Sequence, residues 1–198
     1  MIFSFKLIDF YYELQTLVSQ NATWLGWSLG GMIALDFAIR FPTQIKKIIT
    51  VAATPKFIES KNFPGISASA FANFEERIKN NPAKALNYFA SLQAHGSPNH
   101  KNLLLLLKKE LHTPPHPNAL LFWLNYLKKQ DLTKKLSSIS CPNFHAYGRH
   151  DKIVPKAVER KMQCIPKSKT IVFEHSSHLP FLSQCFIKWL KEAMSISS

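Results

Sequence analysis

Three residues of the chain have types and surroundings suited to acyl transfer: Ser28, Asp151 and His178. Ser28 lies in Gly26-Trp27-Ser28-Leu29-Gly30, a Gly-x-Ser-x-Gly pattern preceded by a short apolar run and followed by a helical one that Pro42 stops. This context predicts a buried strand, a sharp turn and a helix over residues 29–41. The serine is held in a strained backbone geometry that only neighbours without a Cβ approach closely. Such a turn pushes the hydroxyl out at the carboxyl end of the strand. It also aims the Leu29 N–H, at the helix N-terminus, toward an oxyanion forming on an attacked carbonyl. The plain alternative is an ordinary strand-to-helix turn. A serine hydroxyl is a weak nucleophile near neutral pH and needs a base within hydrogen-bond reach, itself oriented by a third group. His178 and Asp151 supply those types in the chain order Ser, Asp, His. His175 competes with His178 as the base, and Asp151 has a rival role capping a helix that opens near Pro155.

A metal reading was weighed against this one. The intervals His175-x-x-His178 and His112-x-x-x-His116 are ligand-like, but Pro114 and Pro115 interrupt the second and neither belongs to a wider ligand set, so no metal is expected. His95, His100, His145 and His150 have no partner that the sequence identifies.

The elements that must position these groups follow from periodicity. Apolar residues recur at helical spacing over about residues 7–19, a strand follows at Trp24, and Ile45 to Val51 is β-branched and short enough for a second strand. This helix-strand-helix-strand order predicts a parallel sheet with helical crossovers. From Lys56 to about Lys135 no convincing strand occurs. Helices are expected near residues 67–80, 82–93, 100–111 and 118–130, as an inserted cap whose leucine run at 103–107 packs on the core. The rhythm resumes with a strand at 142–148, a helix at 156–164, a strand at 169–173 and a last helix at 182–194. The domain reading is residues 1–55 as the first part of the core, 56–135 as the cap and 136–198 as the second part. Ser28, Asp151 and His178 all fall beyond the carboxyl ends of strands, where ligands sit in such sheets.

Composition narrows the class. The chain has 198 residues, 46% of them hydrophobic, which suits a single globular core. Its net charge of +13 comes from 21 lysines and only 4 arginines, without a helix-turn-helix, zinc-finger or RNA-binding signature, so nucleic acid is not expected as a partner. The cap holds 12 basic and 5 acidic residues, a balance of +7. Cys141, Cys164 and Cys185 leave an odd thiol under any pairing, which favours a reducing compartment. The start, Met1 to Lys6, lacks the features of an export signal, and no apolar run approaches the ~18 residues of a membrane span. A cytoplasmic protein without membrane association is expected.

Trp24-Leu25-Gly26-Trp27-Ser28-Leu29-Gly30-Gly31, Thr50-Val51-Ala52, Pro64-Gly65-Ile66, Phe89 to Gln93 followed by Gly96, Tyr147-Gly148 with Asp151, and His178-x-Pro180-Phe181 together resemble one family. It is the pimeloyl-acyl-carrier-protein methyl ester esterases of biotin synthesis, in the α/β-hydrolase superfamily. The resemblance covers nearly the whole chain. It implies an α/β fold, a parallel sheet with helices on both faces and an inserted helical cap, acting without metal or organic cofactor. By position, Ser28 is nucleophile, Asp151 orienter, His178 base and Leu29 oxyanion donor. Trp27, Phe89, Ala90, Ser91, Leu92 and Gln93 line the acyl pocket. The cap would dock an acidic acyl-carrier protein, with Lys84, Lys101, Lys108 and Lys109 as contacts, although arginines expected at some cap positions are replaced. Members of that family begin with further strands and a loop supplying a second oxyanion donor. The chain is therefore expected to be N-terminally truncated, with the edge of its Trp24 strand open and ester turnover near background, and to be a monomer once completed. A generic esterase of other acyl specificity and a non-catalytic remnant are the alternative readings.

Overall fold

Short strand-forming segments alternate with amphipathic ones at both ends of the chain, and such alternation pairs strands in parallel through helical crossovers. The structure is a computed structural model that describes residues 7–111 and 116–196; Met1 to Lys6, His112, Pro114 and Pro115 lie outside them. Four parallel strands lie side by side in chain order: β1 (Ala22–Trp27), β2 (Ile45–Val51), β3 (Asn143–Gly148) and β4 (Ser168–Phe173). On one face Ile45, Ile48 and Tyr147 share a core with α1 (Leu7–Leu17), α2 (Leu29–Arg40) and α7 (Val158–Met162). On the other, Val51, Ala146 and Phe173 pack on Phe186 and Trp189 of α8 (Phe186–Ser195), and Ile49 and Phe144 on its Ala193. β3 is buried throughout and β2 nearly so, as strands covered on both faces must be. β1 departs from the buried strand expected: Leu25 and Trp27 are 52% and 37% exposed. Among the described residues β1 pairs on one side only, with β2, and its alternate side chains stay open.

Between β2 and β3 stand α3 (Ala68–Asn80), α4 (Pro82–Ala94), α5 (His100–Lys109) and α6 (Pro117–Lys129). Pro82 and Pro117 sit in first turns, where the missing N–H breaks no helical bond, and Asn81 and His116 cap the same turns. The leucine run divides. Leu103, Leu104 and Leu107 pack with Ala94, Leu179 and Phe181, while Leu105 and Leu106 face outward. A buried polar knot ties α6 to the core. Asp36 of α2 accepts from Arg40 at 2.9 Å, from Gln130 at 2.8 Å and from the Tyr126 hydroxyl at 3.4 Å. The Tyr126 hydroxyl also meets that of Tyr11 at 2.9 Å, and the Arg40 guanidinium lies 4.6 Å from the Tyr11 ring centre. Burial, reinforced by the neighbouring tyrosine and carboxylate, pushes the Tyr11 phenol far up, so it stays neutral.

Two elements are shorter than their periodicity predicts. α7 begins at Val158 because residues 155–157 form tighter i to i+3 turns, Val158 N–H to Pro155 O and Glu159 N–H to Lys156 O, and Pro166 disfavours helix at residue 165. The last helix begins at Phe186 instead of residue 182, because Pro180–Leu182 forms a separate 3₁₀ turn that extended Ser183 ends. No helix among the described residues is long and apolar enough to cross a membrane, and all three cysteines are free.

Candidate active site

β1 ends where α2 begins, and Ser28 takes the turn between them with φ 52° and ψ −118°. This left-handed conformation costs a side-chain-bearing residue about 1–3 kcal/mol and persists only when its surroundings over-determine it. Here the Ser28 N–H donates to Val51 O at 2.8 Å, and Ser28 O accepts from the Gly31 and Met32 amides at 3.0 and 3.2 Å. The glycine requirement falls differently from the sequence expectation. A Cβ at Gly26 would stand 2.4 Å from Gly30 O, but one at Gly30 would meet nothing within 4 Å. Gly26 lets the helix backbone close on the strand, whereas Gly30 has room for a side chain.

The turn delivers the hydroxyl to an imidazole 150 residues away. Ser28 Oγ lies 2.9 Å from His178 Nε2, and His178 Nδ1 lies 2.8 Å from Asp151 Oδ2. A carboxylate only accepts, so Asp151 fixes the proton on Nδ1 and leaves Nε2 to receive the Ser28 hydroxyl hydrogen. The other carboxylate oxygen, Oδ1, accepts from the Ile153 and Val154 amides at 2.7 and 3.0 Å. One oxygen therefore organises the loop after β3 and the other holds the base. His178 is fully buried, whereas His175 projects into solvent from the turn after β4. Leu29 opens α2 beside the serine, and its N–H, in the first turn, has no carbonyl within the helix to bond.

Ser28 and Leu29 stand at the wall of a cavity of about 480 Å³ between the sheet and α3, α4 and α6. Its lining is mostly aromatic and aliphatic, including Trp27, Phe71, Phe74 and Leu124. From α4 it takes Leu86, Tyr88, Phe89, Leu92 and Gln93, of which Phe89, Leu92 and Gln93 were expected from the sequence and share one helix face. Ala90 and Ser91 are not in the lining. They point around the helix, Ala90 buried and Ser91 Oγ donating to Asn87 O at 3.0 Å. Thr54 and Lys152 line the cavity without having been singled out from the sequence. For Lys152 the available signal was its place next to Asp151; Thr54 had only its position after β2. Lys84, Lys101, Lys108 and Lys109 are exposed, and none pairs with a carboxylate among the described residues. Of the histidines without a sequence partner, His145 is fully buried between Thr50 and Asn143.

A serine turn, a buried imidazole and a carboxylate in series at the carboxyl end of a parallel sheet define a hydrolase-type site. The chain belongs to the alpha/beta hydrolase fold family, whose sequence model matches residues 6–184. Within that class it is similar to the pimeloyl-[acyl-carrier protein] methyl ester esterase of Aliivibrio fischeri (strain ATCC 700601 / ES114), with 40% identity over 181 residues, 88% of this chain and 70% of the relative. The esterase of the same name from Aliivibrio salmonicida (strain LFI1238) is 39% identical over 167 residues, 83% of this chain and 64% of the relative. The chain thus spans 64% and 70% of the length of these two curated relatives. Among solved structures, the esterase EaEST from Exiguobacterium antarcticum shares the fold at a TM-score of 0.81 and 24% identity, over 94% of this chain and 72% of that one.

Proposed function

We propose that the protein is a serine carboxylic ester hydrolase that removes the methyl group from a pimeloyl-acyl-carrier-protein methyl ester in biotin synthesis. The observation that carries the reading is the Ser28 hydroxyl 2.9 Å from the buried His178 imidazole at the head of α2. Ser28 Oγ attacks the ester carbonyl carbon as its proton passes to His178 Nε2, and the Leu29 N–H faces the oxygen that gains charge. Asp151 stabilises the imidazolium without taking the proton. The C–O bond to the methoxy group breaks as His178 protonates its oxygen, methanol leaves, and an acyl-Ser28 ester remains. Water then attacks that ester with His178 as base, releasing the carboxylic acid and restoring the serine.

The likeness to pimeloyl-[acyl-carrier protein] methyl ester esterases supports the carrier-linked ester, and the exposed Lys84, Lys101, Lys108 and Lys109 suit an acidic carrier protein. A second reading is an esterase of other acyl specificity. It is favoured by a cavity lined largely by apolar side chains, which fixes an acyl chain by little beyond shape.

A fluorophosphonate probe tests the chemistry. Labelling should occur in the wild type, vanish in Ser28→Ala, fall severely in His178→Ala and persist in His175→Ala. Equal labelling of Ser28→Ala would refute the nucleophile, and loss with His175→Ala alone would exchange the histidines.

A further inference from the structure

Trp27 joins the strand that carries the nucleophile to the loop that carries the base, in a way that lining the cavity does not require. Its backbone is fixed in β1 opposite Val51, and its indole Nε1–H donates to the main-chain carbonyl of His178 at 2.9 Å. The indole centre is 5.6 Å from the His178 imidazole, and Phe181 meets it edge-on at 5.4 Å. Trp27 is 37% exposed while His178 is fully buried. Further ties on this loop come from β3 and the segment after it. The His150 N–H donates to Ser176 O at 3.0 Å, and Gly148 approaches so closely that a Cβ there would stand 1.9 Å from Ser177 O.

From these contacts we infer that the Trp27 indole N–H is a positioning group for the base, locking the His178 backbone to the strand that carries Ser28. Two residues adjacent in sequence then control both ends of the proton transfer: Ser28 presents the hydroxyl and Trp27 fixes the loop that presents Nε2. Without the N–H the His178 carbonyl loses this partner in a largely dry setting, and the loop gains freedom to shift. A displacement near 1 Å between reacting groups costs about 10²-fold in rate, so even partial relaxation is felt in turnover. The inference rests on the esterase reading for its kinetic consequence but not for its geometry.

The test replaces Trp27 with β-(3-benzothienyl)alanine, which keeps the bicyclic shape and substitutes sulfur for the N–H, alongside Trp27→Phe. Turnover of p-nitrophenyl butyrate and octanoate and fluorophosphonate labelling rate are measured, together with the downfield proton resonance of His178 Nδ1–H. For the isostere, kcat should fall about tenfold on both esters with KM within about twofold, as expected for a lost hydrogen bond and a looser base. Labelling should slow in parallel, and the Nδ1–H resonance should broaden by exchange. Wild-type kcat with a sharp resonance, or a KM change graded with acyl length at constant kcat, would overturn the inference and leave Trp27 as a wall. If Ser28 proves unreactive in the wild type, the esterase reading falls, and the His178 resonance still decides the role of Trp27.

Discussion

His145 shows how much a single side chain can be committed without touching the cavity. Asn143 Nδ2 donates to Cys141 O and Pro166 O, which turns Asn143 Oδ1 toward His145 Nε2 at 2.9 Å and leaves Nδ1 to accept from Thr50 Oγ1 at 2.7 Å. The ring is neutral in one tautomer, and complete burial lowers its pKa from 6.5 to about 3. The folded state therefore resists a proton that the unfolded chain accepts below about pH 6.5. The stability contributed by the neutral ring is fully present above that pH and is lost as pH falls toward 3. Between pH 6.5 and 5 the loss should be about 2 kcal/mol, read by urea unfolding, and His145→Gln should be less stable at pH 7 yet flatter over that interval. Equal slopes for both proteins would remove His145 as the cause. The grouping of Ser28, Asp151 and His178 was expected from local sequence patterns, and the fold brings the three side chains within hydrogen-bond reach of one another. The Thr50 partner of His145 was not legible there, since it lies 95 residues away and a sequence shows only chain neighbours, whereas Asn143, two residues off in the same strand, was within reach of the sequence. Lys47 escaped for the same reason: within a β-branched strand it reads as a solvent-facing residue, yet it is buried and donates to Ala193 O and Met194 O at the end of α8.

Among elements, the joint between β1 and α2 is the one whose sequence tolerance can be calculated from contact distances. Gly26→Ala sets a methyl 2.4 Å from a backbone oxygen, which no side-chain rotation relieves, so strand and helix must separate and Ser28 must leave His178. Fluorophosphonate labelling should be abolished and thermal unfolding should occur at markedly lower temperature, an overpacking cost of roughly 1–3 kcal/mol or more. Gly30→Ala adds its methyl to open space inside a helix and should be neutral or stabilising by up to about 1 kcal/mol. A reversed order would show that the second glycine of the motif carries the constraint. The order of strands and helices was legible from periodicity, since β-branched and amphipathic segments differ in repeat. The starts of α7 and α8 were not, because the segments opening at Pro155 and Pro180 form tighter turns in place of helical ones without changing the apolar spacing.

Over the whole molecule the formal charge is +13, and the four lysines proposed for carrier docking are exposed. Attraction between such groups and an acidic carrier is screened over about 8 Å at physiological ionic strength. Raising salt from 50 to about 500 mM should therefore increase KM for a carrier-linked ester by about tenfold while leaving p-nitrophenyl butyrate nearly unaffected. Lys84→Glu, Lys101→Glu and Lys108→Glu should each move the carrier-linked KM in the same direction. Equal salt responses for the two esters would reduce the basic surface to composition. The charge was legible as a sum, but its reach across α4 and α5 required the fold.

Asp36 serves Arg40, Tyr126 and Gln130 at once, and Tyr11 closes the group from α1. Losing the carboxylate alone would leave a partly buried guanidinium beside an aromatic ring and take an acceptor from Tyr126 and Gln130, whereas an apolar refit of all the positions together could be neutral. The worth of each residue depends on the other four, so their effects do not add. Descent through this group accordingly favours paired or clustered substitutions: a first change that is harmful in isolation becomes permissible only in a lineage where a companion has already altered, which ties the history of the first helix to that of a segment more than a hundred residues downstream.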